Sequence, residues 1–250
     1  MKLAVIIAAA GRSTRFGFGD KLAQDLSGRA VLLRSVEVFV KRPETCGIVV
    51  AAPPDEIEGF KDRYGAQLGF HGATVVPGGR TERWETVRNA LAAIPDDATH
   101  VAIHDGARPN VGPELLDRIL DAARVHPAVI PGVRISSTLK RIGKDTVKGA
   151  QDDAIADAIL GDIDDATGAP AAHLVEATIP RTNVISVQTP QVFTRELLVS
   201  AYEQADIGDA TDDAMLVERM GQPVVAVEGD PANIKITSEH DLELLRRLVR

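Results

Sequence analysis

The sequence predicts an α/β fold in which a mostly parallel β-sheet carries helices on both faces. Short runs rich in β-branched residues recur along the whole chain. Between several of these runs lie segments with the apolar spacing of an amphipathic helix. This alternation is typical of a three-layer fold, and ligands of such folds bind at the carboxyl ends of the strands.

The predicted strands are short apolar runs. In chain order they are LAVII (3–7), GIVVAA (47–52), ATVV (73–76), HVAIHD (100–105), AVIPGV (128–133), VISVQ (184–188) and VVAVEG (224–229).

Three helices are predicted from their periodicity and their first residues. The first spans 81–94, where apolar residues recur at spacings of three and four, and Thr81 is its expected N-cap. The second begins at Pro113, which suits a first helical turn. The third lies at the end of the sequence, and Ser238 is its expected cap.

Composition narrows the function classes. The net charge of −8 argues against a general nucleic-acid binder. The single cysteine, Cys46, excludes an intrachain disulfide framework and indicates a reducing compartment. No apolar stretch approaches the roughly 20 residues that span a bilayer, and the first residues do not resemble a signal peptide. We therefore expect a cytoplasmic protein with neither a membrane nor a nucleic-acid partner.

One segment departs from the alternation. Residues 145–176 carry eight acidic side chains against one lysine. Alanine and isoleucine spacing within 154–159 allows a short helix, but polar residues dominate. We expect this acidic extension to leave the sheet, and a flexible acidic loop is the alternative.

The loop after the first strand has the composition of an anion site. The stretch AAAGRSTRFGFGDK (8–21) combines three glycines with Arg12, Arg15 and Lys21. Exposed backbone N–H groups and cations favour a phosphate chain. The stretch matches neither the dinucleotide fingerprint nor the Walker loop. An ordinary glycine turn with solvated basic residues is the alternative.

The motif HDGARP (104–109) follows the apolar run 101–103 of another predicted strand. Asp105 then emerges at the carboxyl end of that strand, where a carboxylate suits Mg²⁺ shared with substrate phosphates. Arg108 is a candidate anion ligand, and His104 is a packing residue in preference to a catalytic base. No His/Cys cluster indicates zinc, and no G-x-S-x-G elbow supports a Ser–His–Asp triad.

A third group of residues lies near the end of the chain. Lys235 alternates with Ile234 and Ile236. In a strand it would point away from the core, toward a cleft or solvent. A solvated surface lysine is the alternative.

Together these stretches resemble the 2-C-methyl-D-erythritol 4-phosphate cytidylyltransferase family. The resemblance covers nearly the whole chain except about 145–176, and it rests on motifs in the family's order: AAGRSTRFG…DK, PGGRTERWETV, HDGARP, STLKR, QTPQVF, TDDAMLVERMG and NIKIT. It implies one nucleotidyltransferase domain over 1–250 with a Rossmann-like core and a protruding dimerisation arm at 138–182. Such enzymes join CTP to methylerythritol phosphate, a polyol phosphate, and release diphosphate in isoprenoid precursor synthesis.

The resemblance also implies roles for matching residues. Those expected to meet the nucleotide are Ala9, Ala10, Gly11, Gly79 and Thr86. The catalytic cations expected to grip its phosphates are Arg15 and Lys21. The metal ligand for Mg²⁺ is Asp105. Those expected to hold the polyol phosphate are Arg108, Thr189 and Lys235, together with the arm residues Thr138 and Arg181, which would reach the neighbouring subunit's site in a homodimer.

The chain departs from the family pattern in four places. Thr86 replaces the usual serine, and the Gly78–Thr86 loop is one residue longer, which leaves open the roles of Arg80 and Arg83. Ala232 stands where aspartate is common, so a metal role there is lost or passes to Asp230. The arm is longer than usual.

Two other functions fit the sequence. A ribitol-5-phosphate cytidylyltransferase would share the CTP site, and a regulatory module that binds nucleotide without catalysis would share the fold. The convergence of several charged residues argues against the regulatory module, and the missing glycine fingerprint argues against a dehydrogenase. The polyol itself stays open at this point.

Overall fold

A computed structural model describes residues 1–11, 16, 19–147 and 172–249 of the chain. The described residues form two compact units, one made of 1–133 with 187–250 and the other of 134–186. The larger unit confirms the predicted α/β class.

Ten strands occur in the described chain. In order they are β1 (Leu3–Ala8), β2 (Thr45–Ala52), β3 (Ala73–Pro77), β4 (His100–Asp105), β5 (Ala128–Arg134), β6 (Leu139–Val147), β7 (Ala172–Ile179), β8 (Ile185–Val187), β9 (Gln191–Thr194) and β10 (Val225–Glu228).

The main sheet is mostly parallel, as predicted. Its strand order is β10-β5-β9-β4-β1-β2-β3, and β8 pairs with β5 beside this path. β1 runs parallel to both β2 and β4. β2 is also parallel to β3, and β5 is parallel to β10. β9 is antiparallel to both of its neighbours, β4 and β5. All seven predicted strands are present, and their ends agree to within two residues.

Seven α-helices accompany the strands in the described chain. They are α1 (Val31–Val40), α2 (Ile57–Phe70), α3 (Arg83–Leu91), α4 (Pro113–Ala123), α5 (Arg195–Tyr202), α6 (Asp213–Arg219) and α7 (Glu239–Leu248). None of these helices has the length and apolarity that crossing a bilayer requires.

The side chains of β1 divide the core into two layers. Leu3, Val5 and Ile7 face one cluster, which contains the buried faces of α1, α2, α4 and α7. Ala4 and Ile6 face the other cluster, which contains those of α3, α5 and α6. Successive strand residues point to opposite faces of a sheet, so a strand covered on both faces reads as one continuous apolar run. The three-layer prediction is confirmed.

The predicted helix starts are right in two cases and wrong in one. Pro113 occupies the first turn of α4, and Ser238 caps α7 in a reciprocal capping box with Asp241. Thr81 is not the cap of α3. Glu82 takes that place. Its side chain accepts the Glu85 backbone N–H, and the Glu85 side chain accepts the Glu82 backbone N–H, so the two residues form a reciprocal capping box.

The smaller unit contains a two-stranded antiparallel ribbon made of β6 and β7. Leu139 pairs with Ile179, and Val147 pairs with Ala172. The acidic extension predicted at 145–176 therefore begins and ends in ribbon strands. The short helix considered within 154–159 lies outside the described residues.

Candidate active site

Loops from neighbouring parallel strands meet at one edge of the main sheet. The last residues of β1 and β4, Ala8 and Asp105, are register partners. The Gly106 N–H donates to the Ala8 carbonyl at 3.0 Å, and the Gly78 N–H donates to the Ala52 carbonyl at 2.8 Å. These bonds continue the ladder into the loops and hold them together at the carboxyl ends of the strands.

A cavity of about 370 Å³ opens at this edge. It brings together many of the residues expected from the sequence: Ala9, Ala10, Gly11, Lys21, Gly79, Thr86, Asp105 and Lys235. Arg80 and Arg83, whose roles the sequence left open, also line it. Arg15, expected to be the second catalytic cation, lies outside the described residues.

Asp105 is the acidic centre of the cavity, and cations surround it. Its Oδ2 lies 3.0 Å from Lys235 Nζ and 3.2 Å from Arg108 Nε. Its Oδ1 lies 3.8 Å from Arg83 Nε. Burial opposes ionisation of Asp105, but the three cations hold its pKa well below the usual value. The carboxylate is therefore charged at neutral pH, and the surrounding cluster carries an excess of positive charge.

Arg83 also forms an ion pair with a second buried carboxylate, that of Asp213. Arg83 Nη1 lies 2.6 Å from Asp213 Oδ2, and the Tyr202 hydroxyl donates to Asp213 Oδ1 at 2.5 Å. Although burial disfavours its charge, Asp213 and Asp105 raise the pKa of Arg83. Arg83, the first residue of α3, therefore lies between two carboxylates at the cavity wall.

His104 is neutral, and both of its ring nitrogens are hydrogen-bonded within the protein, as expected of a packing residue. Its Nε2 lies 3.0 Å from the Arg108 carbonyl, which can only accept, so Nε2 carries the proton. Its Nδ1 then accepts from the Thr189 hydroxyl at 3.1 Å. Burial lowers the pKa of His104 to about 4, and its ring packs edge-on against Phe39.

The Thr189 hydroxyl, expected to contact the substrate, is hydrogen-bonded within the protein. Thr189 is buried, and its hydroxyl accepts the Asp105 backbone N–H at 3.0 Å while its own proton goes to His104. That leaves no proton for a phosphate oxygen. Both hydrogen bonds of the Thr189 hydroxyl support the end of β4.

Gly79 and Thr86 meet across the longer loop. The Gly79 N–H donates to Thr86 Oγ1 at 3.0 Å, so the extra residue does not separate them. A Cβ on Gly79 would lie 2.5 Å from the Glu85 Cβ and 2.8 Å from the Glu82 carbonyl oxygen. Only glycine fits this turn. Arg80 pairs with Asp55 at the exposed rim of the loop.

Lys235 reaches the cavity without a strand. Residues 233–237 form no strand, contrary to the alternation argument. The side chains nevertheless point in the expected directions, since Ile236 is fully buried in the core and Lys235 reaches Asp105. The Asp230 carboxylate accepts the Ala232 N–H at 2.8 Å. It caps this turn and does not line the described cavity wall.

Arg108 is the third cation beside Asp105, and not all of its N–H groups are engaged in hydrogen bonds within the described chain. Its Nε bonds to Asp105, and its Nη1 donates to the Asn233 carbonyl at 2.8 Å. A guanidinium has five N–H donors, so these two bonds leave three unused. The Arg108 side chain is 11% exposed and is not among the residues that line the described cavity. The Asn233 carbonyl and that of Asp230 also accept from the Gln188 amide, which ties the loop that carries Lys235 to the end of β8.

The two arm residues belong to the smaller unit. Thr138 immediately precedes β6, and Arg181 follows β7 by two residues. Because Leu139 pairs with Ile179, both residues lie at the same end of the ribbon. Both are exposed.

Asp213 and Tyr202 are functional residues whose roles the sequence patterns do not predict. The signal for Asp213 was the motif TDDAMLVERMG, whose second aspartate is fully buried and paired with Arg83. Nothing local marks Tyr202, because its hydroxyl partner lies on the next helix.

A divalent cation fits this site only in company with a nucleotide. No group of three or more His, Cys, Asp or Glu side chains suited to a metal occurs in the part of the chain that the structure describes. Oδ1 is the less engaged oxygen of Asp105, since it lies 3.8 Å from Arg83 Nε, whereas Oδ2 is within 3.2 Å of both Lys235 and Arg108. Mg²⁺ is commonly bound by one or two carboxylates plus substrate phosphates, and this donor set meets that pattern.

Comparison with known proteins agrees with the geometry. The chain matches the IspD family, 2-C-methyl-D-erythritol 4-phosphate cytidylyltransferase, over residues 3–160 and 150–250. It is 38% identical to the protein of that name from Frankia casuarinae, across 99% of this chain and 81% of the relative. It is 33% identical to the one from Dehalococcoides mccartyi, across 100% and 96%. A crystal structure of the Thermus thermophilus protein of that name superposes with a TM-score of 0.71, at 30% identity and with both chains fully covered.

Proposed function

This chain belongs to the 2-C-methyl-D-erythritol 4-phosphate cytidylyltransferase family, and we propose that its reaction takes place in the cavity beside Asp105. The chain is a nucleotidyltransferase of isoprenoid precursor synthesis that transfers CMP from CTP to 2-C-methyl-D-erythritol 4-phosphate and releases diphosphate. The observation that carries the assignment to this cavity is the cluster of Arg83, Arg108 and Lys235 around one buried carboxylate.

The cluster suits the charge that the reaction develops. A phosphate oxygen of the acceptor attacks the α-phosphorus of CTP, and the bond to the leaving diphosphate breaks. Negative charge grows on the equatorial oxygens and on the diphosphate, so fixed cations stabilise the transition state. Lys21 lines the same cavity and supplies one of these cations. By the family resemblance Arg15 supplies another.

No general base is needed, since the attacking phosphate is already anionic. The hydrogen bonds of His104 support a mechanism without a general base. Its Nε2–H donates to the Arg108 carbonyl, and its Nδ1 accepts from the Thr189 hydroxyl. Neither nitrogen is open to the cavity. His104 and Thr189 hold the end of β4 in place instead.

The nucleotide end of the cavity is lined by small residues and backbone. Ala9, Ala10 and Gly11 let the triphosphate approach the loop closely. Gly79 and Thr86 line the same cavity, and the family resemblance assigns them to recognition of cytosine and ribose. Bound with the nucleotide, Mg²⁺ would be held by Asp105 and the CTP phosphates and would neutralise phosphate charge.

The acceptor phosphate is assigned to Arg108 and Lys235. Lys235 is 39% exposed at its side chain and keeps two ammonium protons beyond the one that faces Asp105. Thr138 and Arg181 are assigned to the acceptor phosphate of a neighbouring subunit in a homodimer. The exposed apolar side chains of Ile142 and its register partner Val175 on the ribbon support an interface there. The single free cysteine, Cys46, supports a cytoplasmic location.

Lys235→Gln tests the acceptor assignment. The KM for methylerythritol phosphate should rise by about tenfold or more, because a charge-assisted bond to phosphate is lost. The KM for CTP should change much less. Lys41→Gln, an exposed lysine at the end of α1, is the matched control. An equal rise in both KM values would remove Lys235 from the acceptor subsite.

A further inference from the structure

An acidic side chain directly precedes the lysine that we assign to the CTP phosphates. A carboxylate at Asp20 would repel a triphosphate bound by Lys21 unless its charge were compensated. Asp20 Oδ2 lies 2.8 Å from Arg63 Nη1 and accepts the Tyr64 hydroxyl at 3.2 Å. Both partners belong to α2. One helix therefore supplies a cation and a hydroxyl to the residue next to Lys21.

The other oxygen of Asp20 fixes the backbone at Lys21. Asp20 Oδ1 accepts the Leu22 N–H at 2.9 Å and so caps the short 3₁₀ turn Lys21–Ala23. The Gln24 side-chain amide also donates to the Asp20 carbonyl at 3.3 Å. Leu22 itself is buried beneath the turn. The backbone of Lys21 is therefore held on both sides.

The α2 side of this contact is rigid. Tyr64 is only 2% exposed, and its ring packs against Phe60 with ring centroids 4.8 Å apart. Burial and the nearby Asp20 raise the pKa of Tyr64, so its hydroxyl keeps the proton that it donates. The Arg63 guanidinium lies 5.9 Å from the centre of the same ring. A buried aromatic residue thus anchors an otherwise exposed ion pair.

We propose that Asp20, Arg63 and Tyr64 form a clamp that positions Lys21 toward the CTP phosphates. This inference rests on the proposed function of Lys21. The three are positioning residues: Asp20 shapes the turn, Arg63 neutralises its charge, and Tyr64 fixes its direction. An exposed ion pair alone contributes little to stability, so the effect of the clamp should appear in the reaction and not in folding.

Single variants on α2 provide the first test. Tyr64→Phe removes only the hydroxyl, and Arg63→Gln removes the compensating charge. We expect kcat to fall by about threefold and about tenfold respectively, because displacing a catalytic group by a fraction of an ångström misaligns the reaction. The KM for methylerythritol phosphate should stay unchanged. Lys61→Gln is the matched control, since Lys61 lies on the same helix and pairs with Glu58, at 3.0 Å.

A double-mutant cycle with Lys21→Ala distinguishes positioning from general damage. In the Lys21→Ala background neither α2 variant should lower kcat further, because they act through the missing lysine. The same fold-loss in both backgrounds, or a loss that follows the urea midpoint of each variant, would overturn the clamp. If Lys21→Ala lowers kcat as expected but the losses add to its residual rate, only the clamp fails. If Lys21→Ala keeps full activity, the proposed role of Lys21 fails as well.

Discussion

Lys235 Nζ lies 3.0 Å from Asp105 Oδ2, and this contact joins the motif NIKIT to the motif HDGARP at the end of β4. Arg83 and Arg108 face the same carboxylate. These three positive charges face two carboxylates, because Arg83 also pairs with Asp213, and the remaining positive charge attracts anions. The cluster explains how a chain with a net charge of −8 offers a site to a triphosphate.

The first prediction concerns Asp105→Asn. Without the carboxylate, the three cations lose their compensating charge, so CTP should bind more tightly in the absence of metal, by about tenfold (~1.4 kcal/mol). Added Mg²⁺ should no longer improve binding, since the carboxylate oxygen that we assign to it is gone. Titration calorimetry with and without Mg²⁺ measures both effects.

The control for this titration is Asp55→Asn, which removes a carboxylate paired with Arg80 at the cavity rim. It should leave the Mg²⁺ dependence intact. Unchanged Mg²⁺ dependence in Asp105→Asn would exclude Asp105 as a metal ligand.

The second prediction concerns Lys21→Ala. The loss of one fixed cation should lower kcat by roughly 10²–10³, or about 3–4 kcal/mol of transition-state stabilisation. The fold should survive, because Lys21 is a partly exposed residue in a short turn. Initial rates of diphosphate release, with the urea midpoint as a folding check, measure the effect. Lys41→Ala should behave like the parent, and a folded Lys21→Ala with a near-normal kcat would contradict the assignment.

Much of the main sheet could be predicted from sequence because its parallel strands are buried on both faces. A strand such as β1 then reads as an uninterrupted apolar run. β9 could not be predicted in this way. Its four residues QVFT (191–194) contain no such run, and their place between β4 and β5 is set by antiparallel pairing with distant residues. The start of α3 was readable, since Glu85 follows Glu82 at the spacing of a capping box.

The site was predictable where it depends on topology. Lys21 lies in the loop after β1 and Asp105 ends β4, and these two strands are neighbours, so the two residues meet at one edge of the sheet. Contacts made by side chains across the fold were not predictable. The pairs Arg83 with Asp213 and Arg63 with Asp20 join distant segments, and no local pattern in the sequence marks them. The hydrogen bonds of Thr189 to Asp105 and His104 likewise join distant segments and have no local signal.

The third prediction separates the two roles considered for Thr189. Thr189→Val removes the hydroxyl and leaves the Asp105 N–H and His104 Nδ1 without a buried partner. We expect the free energy of unfolding to fall by about 1–3 kcal/mol. Thr189→Ser keeps the hydroxyl and should lose much less. Urea unfolding followed by circular dichroism gives the values. A stable Thr189→Val with a raised KM for methylerythritol phosphate would show a substrate contact instead.

The fourth prediction tests the shared site of the proposed homodimer. An isologous interface uses the same patch in both directions, so each ribbon would serve the neighbour's cavity. Arg181→Ala and Lys21→Ala chains should each be nearly inactive alone. In a mixed dimer one site receives both defects and the other receives neither, so activity should partly return. Differently tagged chains, purified in tandem after mixing, measure this recovery.

Arg181→Lys is the companion variant. Arginine holds a phosphate through two parallel bonds, which lysine does not reproduce, so methylerythritol phosphate should bind more weakly while CTP binding is spared. If the subunits demonstrably exchange and the mixed dimer stays inactive, the two chains do not share a site.

The most direct test of the central claim is diphosphate release from CTP with different acceptors. Measured by a coupled assay in the presence of Mg²⁺, release should require 2-C-methyl-D-erythritol 4-phosphate. Its kcat/KM should exceed that of ribitol 5-phosphate by about 10² or more, since buried donors placed for one polyol are left unpaired by another. Lys21→Ala serves as the matched control for contaminating activity. A higher kcat/KM with ribitol 5-phosphate, or equal release without an acceptor, would contradict the account.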